Sequence, residues 1–226
     1  MRIESLGDSA LLLRVTEDFD AEKSLDAVLR ATHQLKAAQI PGLIELAPAY
    51  TTIGIFFDPP RMERFDELQA SVERALKGDS APARDTFSAT IEVPVCYEDE
   101  FAPDLDVVAR TSDLSRDEVV RRHAAANYLV SCVGFTPGWA YLSGLPPELA
   151  TPRRASPRKE IPAGAVAIGG TQTGIYPRKS PGGWNIIGRS SLRLFDVERN
   201  PPALLQAGDR VRFRRISRQE FDAFAT

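Results

Sequence analysis

The 226 residues, 43% of them apolar, are enough to bury one large core or two small ones. Their 28 basic and 31 acidic side chains leave a net charge of -3, so nothing in the balance calls for nucleic acid or an anionic membrane surface as a partner. The two cysteines, Cys96 and Cys132, lack both the paired spacing of a zinc site and the density of a secreted disulfide scaffold, and are expected as buried thiols.

In chain order, MRIESLGDSALLLRV lacks the continuous apolar core of a signal peptide, and no apolar run approaches the roughly 18 residues of a membrane span, so a cytoplasmic protein is expected. Within that stretch Ser9 to Val15 reads as a buried strand. Leu25, Val28, Leu29, Thr32 and Leu35 then recur at helical spacing. After the turn at Pro41 and Gly42, YTTIGIFF (Tyr50 to Phe57) has the β-branched and aromatic content of a central strand, and Phe65, Leu68, Val72 and Leu76 mark one face of a second helix. KGDSAPAR (Lys77 to Arg84) breaks both periods, as a linker between domains does.

Beyond the linker, Phe87, Ala89, Ile91, Val93 and Val95 alternate as in a half-buried strand. Two helical turns follow, the second opened by a capping box of Ser115 and Glu118. From Tyr128 onward the apolar runs YLVSCV, AVAI, WNIIG, SLRLF and DRVRF predict short strands separated by Pro- and Gly-containing loops, a pattern that suits a barrel or sandwich. Ser217 and Glu220 form a final capping box before a short C-terminal helix.

Between Thr151 and Phe195 stand Arg153, Arg154, Arg158, Lys159, Arg178, Lys179, Arg189 and Arg193, with Glu160 the only acid. Converged on one cleft they would bind a carboxylate, a phosphate or an acidic surface; spread out, they are a solvated basic face. The segment GGTQTGIYPRKSPGGWNIIGRS (169–190) holds six of the 15 glycines. It is not a nucleotide P-loop, because the G-x-x-x-x-G-K-[ST] spacing is absent and Pro177 and Pro181 forbid the helix that such a loop opens. It is either an elaborate double turn or a pocket wall in which Thr171, Gln172, Thr173, Tyr176, Ser180 and Asn185 offer neutral hydrogen-bonding groups beside the flat face of Trp184. A second unusual loop, GFTPGWAYLSGLPP (134–147), sets Phe135, Trp139 and Tyr141 among glycine and proline, either to pack the bend or to face the same cleft as Trp184. His33 lies on the first helix as a surface or packing residue. His123 follows Val119 and Val120 as either a satisfied interior group or an acid–base, with no metal constellation around it.

Residues 134–196, with LGDSALLL near the N-terminus and VPVCYEDEFAPDLDVVA upstream of the aromatic loop, resemble the family that includes the 5-oxoprolinase B subunit, the sporulation kinase A inhibitor and allophanate hydrolase subunit 1. The resemblance runs in order along nearly the whole chain. It implies an α+β protein, with a small N-terminal α/β domain (1–83) and a cyclophilin-like β-barrel domain (84–226). It implies partners as well: a second cyclophilin-like subunit of the biotin-dependent carboxylase type and a lactam-utilisation-type subunit, in an assembly that uses ATP to open 5-oxoproline to glutamate. Related modules occur in urea carboxylase. His123, Gln172, Thr173, Tyr176, Ser180, Trp184 and Arg189 fall on the family pattern. Glu98 and Asp99 stand where glycines are common in the family, and the aromatic loop reads GWAYLSG where GFPYLGG or GFAYLGG is common.

On this basis His123 is expected to move a proton during lactam activation, Gln172 and neighbouring amides to hold the substrate's amide or carboxylate, and Arg189 to balance its negative charge. Thr173, Tyr176, Ser180, Trp184 and Phe135 complete the expected binding residues. No metal or cofactor is expected on this chain, ATP being used by the assembled complex, and the isolated chain is expected to be inactive. The alternatives are an inhibitor that binds a histidine kinase through Arg153, Arg154 and Arg158, an accessory subunit of the urea carboxylase or allophanate hydrolase type, and, by fold analogy alone, a proline isomerase.

Overall fold

The computed structural model describes residues 1–58, 65–78 and 90–224, and the chain divides into two units, Met1–Ser88 and Ala89–Thr226. The expected 83/84 boundary, Phe87 and Ala89 lie outside the described residues.

In the first unit Leu11 and Leu13, and likewise Ile53, Ile55 and Phe57, point to one face of their strands because side chains alternate with period two. These strands, β2 (Ala10–Arg14) and β4 (Thr52–Phe57), are the centre of an antiparallel sheet. The sheet order is β1-β2-β4-β3, with β1 (Arg2–Ser5) and β3 (Leu43–Ala49) flanking the central pair. Helix α1 (Lys23–Ala37) buries Leu25, Val28, Ala31 and Leu35, and α2 (Phe65–Lys77) buries Leu68 and Val72, all at helical spacing. Most of these apolar side chains form one core with the inner face of the sheet. The periodicities of β2, α1, β4 and α2 were readable in the sequence. Those of β1 and β3 were not, since β1 is four residues long and β3 carries Pro48 with no residue fully buried.

The second unit is a closed barrel of seven strands, as the expected α+β class with a β-barrel in the second half requires. Around the barrel run β6 (Asn127–Val133), β13 (Arg210–Ile216), β5 (Thr90–Cys96), β12 (Asn185–Arg189), β9 (Ala165–Gly169), β10 (Gln172–Ile175) and β7 (Ala140–Ser143), and β7 pairs back onto β6. Closure removes the free edges that an open sheet exposes. The β13–β5 pair is parallel; the other pairs are antiparallel. Val93, Val95, Val130, Leu142, Val166, Ile168, Ile187 and Phe213 fill the interior with Val119 and Val120 of α4 (Arg116–Ala125). A separate two-stranded ribbon joins β8 (Arg158–Ile161) to β11 (Ser180–Gly182). Helices α3 (Leu105–Ser112) and α5 (Arg218–Phe224) complete the unit.

Both capping boxes mark helix starts. Ser115 accepts from the Glu118 amide, while the Glu118 carboxylate turns to Arg121 and Arg122 instead of closing the box. Ser217 and Glu220 bond reciprocally. One strand expectation is corrected. SLRLF is irregular, with only an isolated bridge from Phe195 to Ala203, because its Ser190–Leu192 turn and the Leu204–Leu194 bond take the backbone out of a ladder. In the glycine-rich segment the expected WNIIG strand is β12, and β10 and β11 are strands as well. Cys96 is buried as expected, whereas Cys132 is only half-buried; both are free thiols. Among the described residues no helix is long and apolar enough to cross a membrane.

Candidate functional site

The glycines of the 169–190 segment make room for aromatic rings. A Cβ on Gly169 would lie 2.5 Å from the Trp184 indole, and one on Gly182 would lie 2.2 Å from the Tyr176 hydroxyl. Released from those clashes, Trp139, Tyr176 and Trp184 interlock edge to face, Trp139–Trp184 at 5.1 Å between centroids and Trp139–Tyr176 at 4.6 Å. The aromatic bend and the tryptophan-bearing segment therefore do meet, but as a packed cluster with Ile161, Ala167 and Ile186 and not as the walls of a hollow. Tyr176 and Trp184 are buried in it, packed against the ring of Trp139. Arg153 reaches over the Trp184 ring from outside, at 5.7 Å.

The neighbouring glycines differ in kind. Gly170 occupies the turn between β9 and β10 at φ +65° with open space where a Cβ would stand. Gly169→Ala is expected to cost about 1–3 kcal/mol by overpacking and to change the near-ultraviolet circular dichroism of the tryptophans. Gly170→Ala should cost about 1 kcal/mol, from φ alone, and leave that spectrum as it was. Urea unfolding and near-ultraviolet spectra of the two variants check both expectations.

His123 is at the centre of the barrel unit, with no exposed surface. Its Nδ1 is 2.9 Å from the Tyr97 hydroxyl and its Nε2 3.0 Å from Thr173 Oγ1. Thr173 donates its own hydroxyl proton to the Ala167 carbonyl, 3.0 Å away, so it accepts from Nε2–H, and Nδ1 accepts from Tyr97. Phe213 stacks on the ring at 4.5 Å. Burial pulls the imidazole pKa down to about 3 and pushes the Tyr97 hydroxyl up. Of the two readings of His123, the satisfied interior group is the one this geometry describes. Both ring nitrogens are thus engaged inside the barrel, and the Thr173 hydroxyl is shared between His123 and the Ala167 carbonyl.

The remaining expected residues are dispersed. Phe135 is 67% exposed at φ +66° on the β6–β7 turn, its ring edge-on to Trp139 at 5.8 Å. Gln172 opens β10 opposite Gly169, half-buried. Ser180 sits in the outer ribbon with its hydroxyl buried and no hydrogen-bond partner among the described residues. Arg189 lines a cleft, of about 280 Å³, together with Phe101, Pro103, Arg158, Pro162 and Ile186. Arg189 Nε donates to the Ala163 carbonyl at 3.1 Å, and its guanidinium lies 5.6 Å from the centre of the Phe101 ring. Glu100 and Glu160 also line the cleft, but each is ion-paired, with Arg218 and Lys179, whereas Arg189 has no carboxylate partner among the described residues and stands beside the apolar floor, an arrangement suited to a small carboxylate with a hydrocarbon body.

One residue behind that cleft escaped sequence reasoning. Asp104, 2% exposed, accepts from Arg154 Nη1 (2.9 Å), Arg158 Nη1 and Nη2 (2.7 and 2.8 Å) and the Ile186 amide (2.8 Å). Its position before LDVVA reads as a helix cap, yet it makes no side-chain cap bond and anchors two arginines instead. The basic segment is consequently neither one cleft nor one free face. Arg154 and Arg158 are tied to Asp104, Lys179 to Glu160 and Arg193 to Asp196.

Comparison with known proteins adds the following. The family model for the carboxyltransferase domain, subdomain C and D, matches residues 1–205. The chain is 40% identical to the B subunit of 5-oxoprolinase from Bacillus subtilis (strain 168), over 99% of this chain and 96% of that protein. A crystal structure of TTHA0988 superposes with a TM-score of 0.78 at 37% identity, covering 92% of this chain and 40% of that one. The Kluyveromyces lactis urea carboxylase matches at 22% identity with a TM-score of 0.75, a likeness of fold, over 98% of this chain and 22% of that one. The chain thus spans well under half of these two structural neighbours and nearly the whole of the Bacillus relative.

Proposed function

The chain belongs to the carboxyltransferase domain, subdomain C and D, family, and from that membership we propose that it is the B-type subunit of an ATP-dependent 5-oxoprolinase, the assembly that opens the lactam of 5-oxoproline to glutamate. The observation that carries this is 40% identity extending over nearly the full length of both this chain and a 5-oxoprolinase B subunit. The Arg189 cleft supports it chemically: Arg189 holds the substrate carboxylate, and Phe101, Pro103 and Ile186 cover the ring. Arg158 contributes a second positive edge, held in place by Asp104. His123 serves the site by position, tying the segment that follows β5 to β10 through Tyr97 and Thr173.

An unstrained, resonance-stabilised amide opens only with coupling to ATP and with water kept from the activated intermediate, and this chain carries no nucleotide motif. ATP and the remaining chemistry therefore fall to the partners, a second cyclophilin-like subunit and a lactam-utilisation-type subunit. Purified alone the chain should not hydrolyse ATP in response to 5-oxoproline; mixed with both partners it should. Well-folded mixtures without 5-oxoproline-dependent ATP hydrolysis would sink the proposal. In an active mixture, Arg189→Gln is expected to raise the KM for 5-oxoproline by roughly tenfold to a hundredfold, the worth of one charge-assisted bond, with the KM for ATP unchanged. The kinase-inhibitor alternative loses its simplest surface, because two of its three arginines are engaged by Asp104 and reversing their charge would test folding before contact.

A further inference from the structure

A second cleft, of about 530 Å³, opens between α3 and the loop that carries Arg153, and nothing in the proposed 5-oxoproline chemistry uses it. Among the described residues two arginines line it and no carboxylate does. The contrast is with the cleft of similar volume beside Tyr97, whose walls hold Glu98, Asp99, Glu100 and Asp117. Asp104 neutralises only one of the pair Arg154 and Arg158, and Arg153 makes no ion pair among the described residues, so the region retains two positive charges.

The loop is held ready. Pro152 and Pro157 restrict its backbone, the Arg154 amide donates to the Gly183 carbonyl at 2.7 Å, and Asn185 Nδ2 donates to the Pro152 carbonyl at 2.9 Å. The amides of Arg153, Ala155 and Ser156 have no acceptor among the described residues, nor does the Ser156 hydroxyl have a partner there. The Arg153 guanidinium is steadied against the Trp184 face, which leaves its N–H edge available.

We propose that this cleft binds the oxyanion of a small molecule, a phosphate or a carboxylate, through Arg153, the Ser156 hydroxyl and the amides of the 153–156 loop. A planar guanidinium beside unbonded amides on a fixed loop is chemistry suited to several anionic oxygens at once. The site is separate from the Arg189 cleft and does not depend on the reaction assigned there.

Titration of the full-length chain with inorganic phosphate and, separately, with acetate, followed by amide NMR and calorimetry, tests this. Saturable binding of either ion with shifts centred on Arg153, Ala155 and Ser156 is the expected result, and which ion binds identifies the phosphoryl or carboxyl class. Arg153→Gln, an exposed change that leaves the Asp104 bonds intact, should weaken that binding by about tenfold or more, the loss of one charge-assisted contact. Arg189→Gln should not alter it. Failure of both ions to saturate, binding unaffected by Arg153→Gln, or shifts centred on Arg189 would overturn the proposal.

Discussion

Lowering the pH from 6.5 toward 3 is expected to destabilise the barrel unit by about 1.4 kcal/mol per pH unit through His123 alone. In the folded state the ring is sealed among Phe213, Tyr128 and the Tyr97 and Thr173 hydroxyls, with its pKa depressed from 6.5 to about 3. The unfolded chain takes up a proton below 6.5 and the folded chain does not until about 3. The unfolded state thus binds more protons across that window, so the contribution is complete above 6.5 and is lost as pH falls through the window. Urea unfolding of the wild type and of His123→Gln at intervals between pH 7 and the acid limit of folding provides the check. The variant is less stable at neutral pH, but its stability should fall less steeply with acid, by about the stated slope, so the two converge as the pH is lowered. Carboxylates such as Glu118 cancel in the difference, because both proteins carry them. Parallel slopes would mean that the imidazole is not held neutral in the folded state.

Asp104→Ala is expected to destabilise the barrel unit by about 3–5 kcal/mol, because it strands two arginines that share one buried carboxylate and leaves the Ile186 amide without its acceptor. Asp104→Asn keeps an acceptor for Ile186 but not the charge, and should fall between wild type and alanine. The contacts also predict strong non-additivity. Arg158→Ala alone removes the carboxylate's bidentate partner, whereas after Asp104→Ala the same change relieves an unpaired charge and should cost little or even restore stability. A double-mutant cycle by urea unfolding measures this directly, and simple addition of the two losses would show that the pair is not coupled. The Arg189 cleft should be disturbed as well, because Arg158 and Ile186 line it.

These two residues mark different limits of legibility. His123 was visible as a histidine following Val119 and Val120 on a helical face, and its burial follows from that position. Its neutrality depends on Tyr97, just past the end of β5, and Thr173 on β10, which lie 26 and 50 residues away. Asp104 gave a local signal, a helix start, that its tertiary partners overrode. The glycine-rich segment offered two alternatives, a double turn or a pocket wall, and the structure shows a third arrangement: strands whose missing side chains admit Trp184 and Tyr176. Arg189 was singled out as a charge, but nothing in WNIIGRS announces that Phe101, more than 80 positions earlier in the chain, shares its cleft.

By itself the sequence determined the class of each well-patterned element: Leu11 and Leu13, Ile53 to Phe57, Leu25 to Leu35 and the boxes at Ser115 and Ser217 are read from spacing, since burial of one face and capping of one end are satisfied within a few neighbours. It also determined the family, through a long ordered match. Only the tertiary structure decided which groups face each other across the closed barrel: that Asp104 meets arginines 50 and 54 residues on, that the aromatic loop packs against the tryptophan instead of enclosing a hollow, and that Arg153 and Arg189 line separate clefts. The reason is physical. Periodicity records whether a side chain meets water or core, a property of its own position, whereas partnership between distant residues is fixed by the strand order and register that close the barrel.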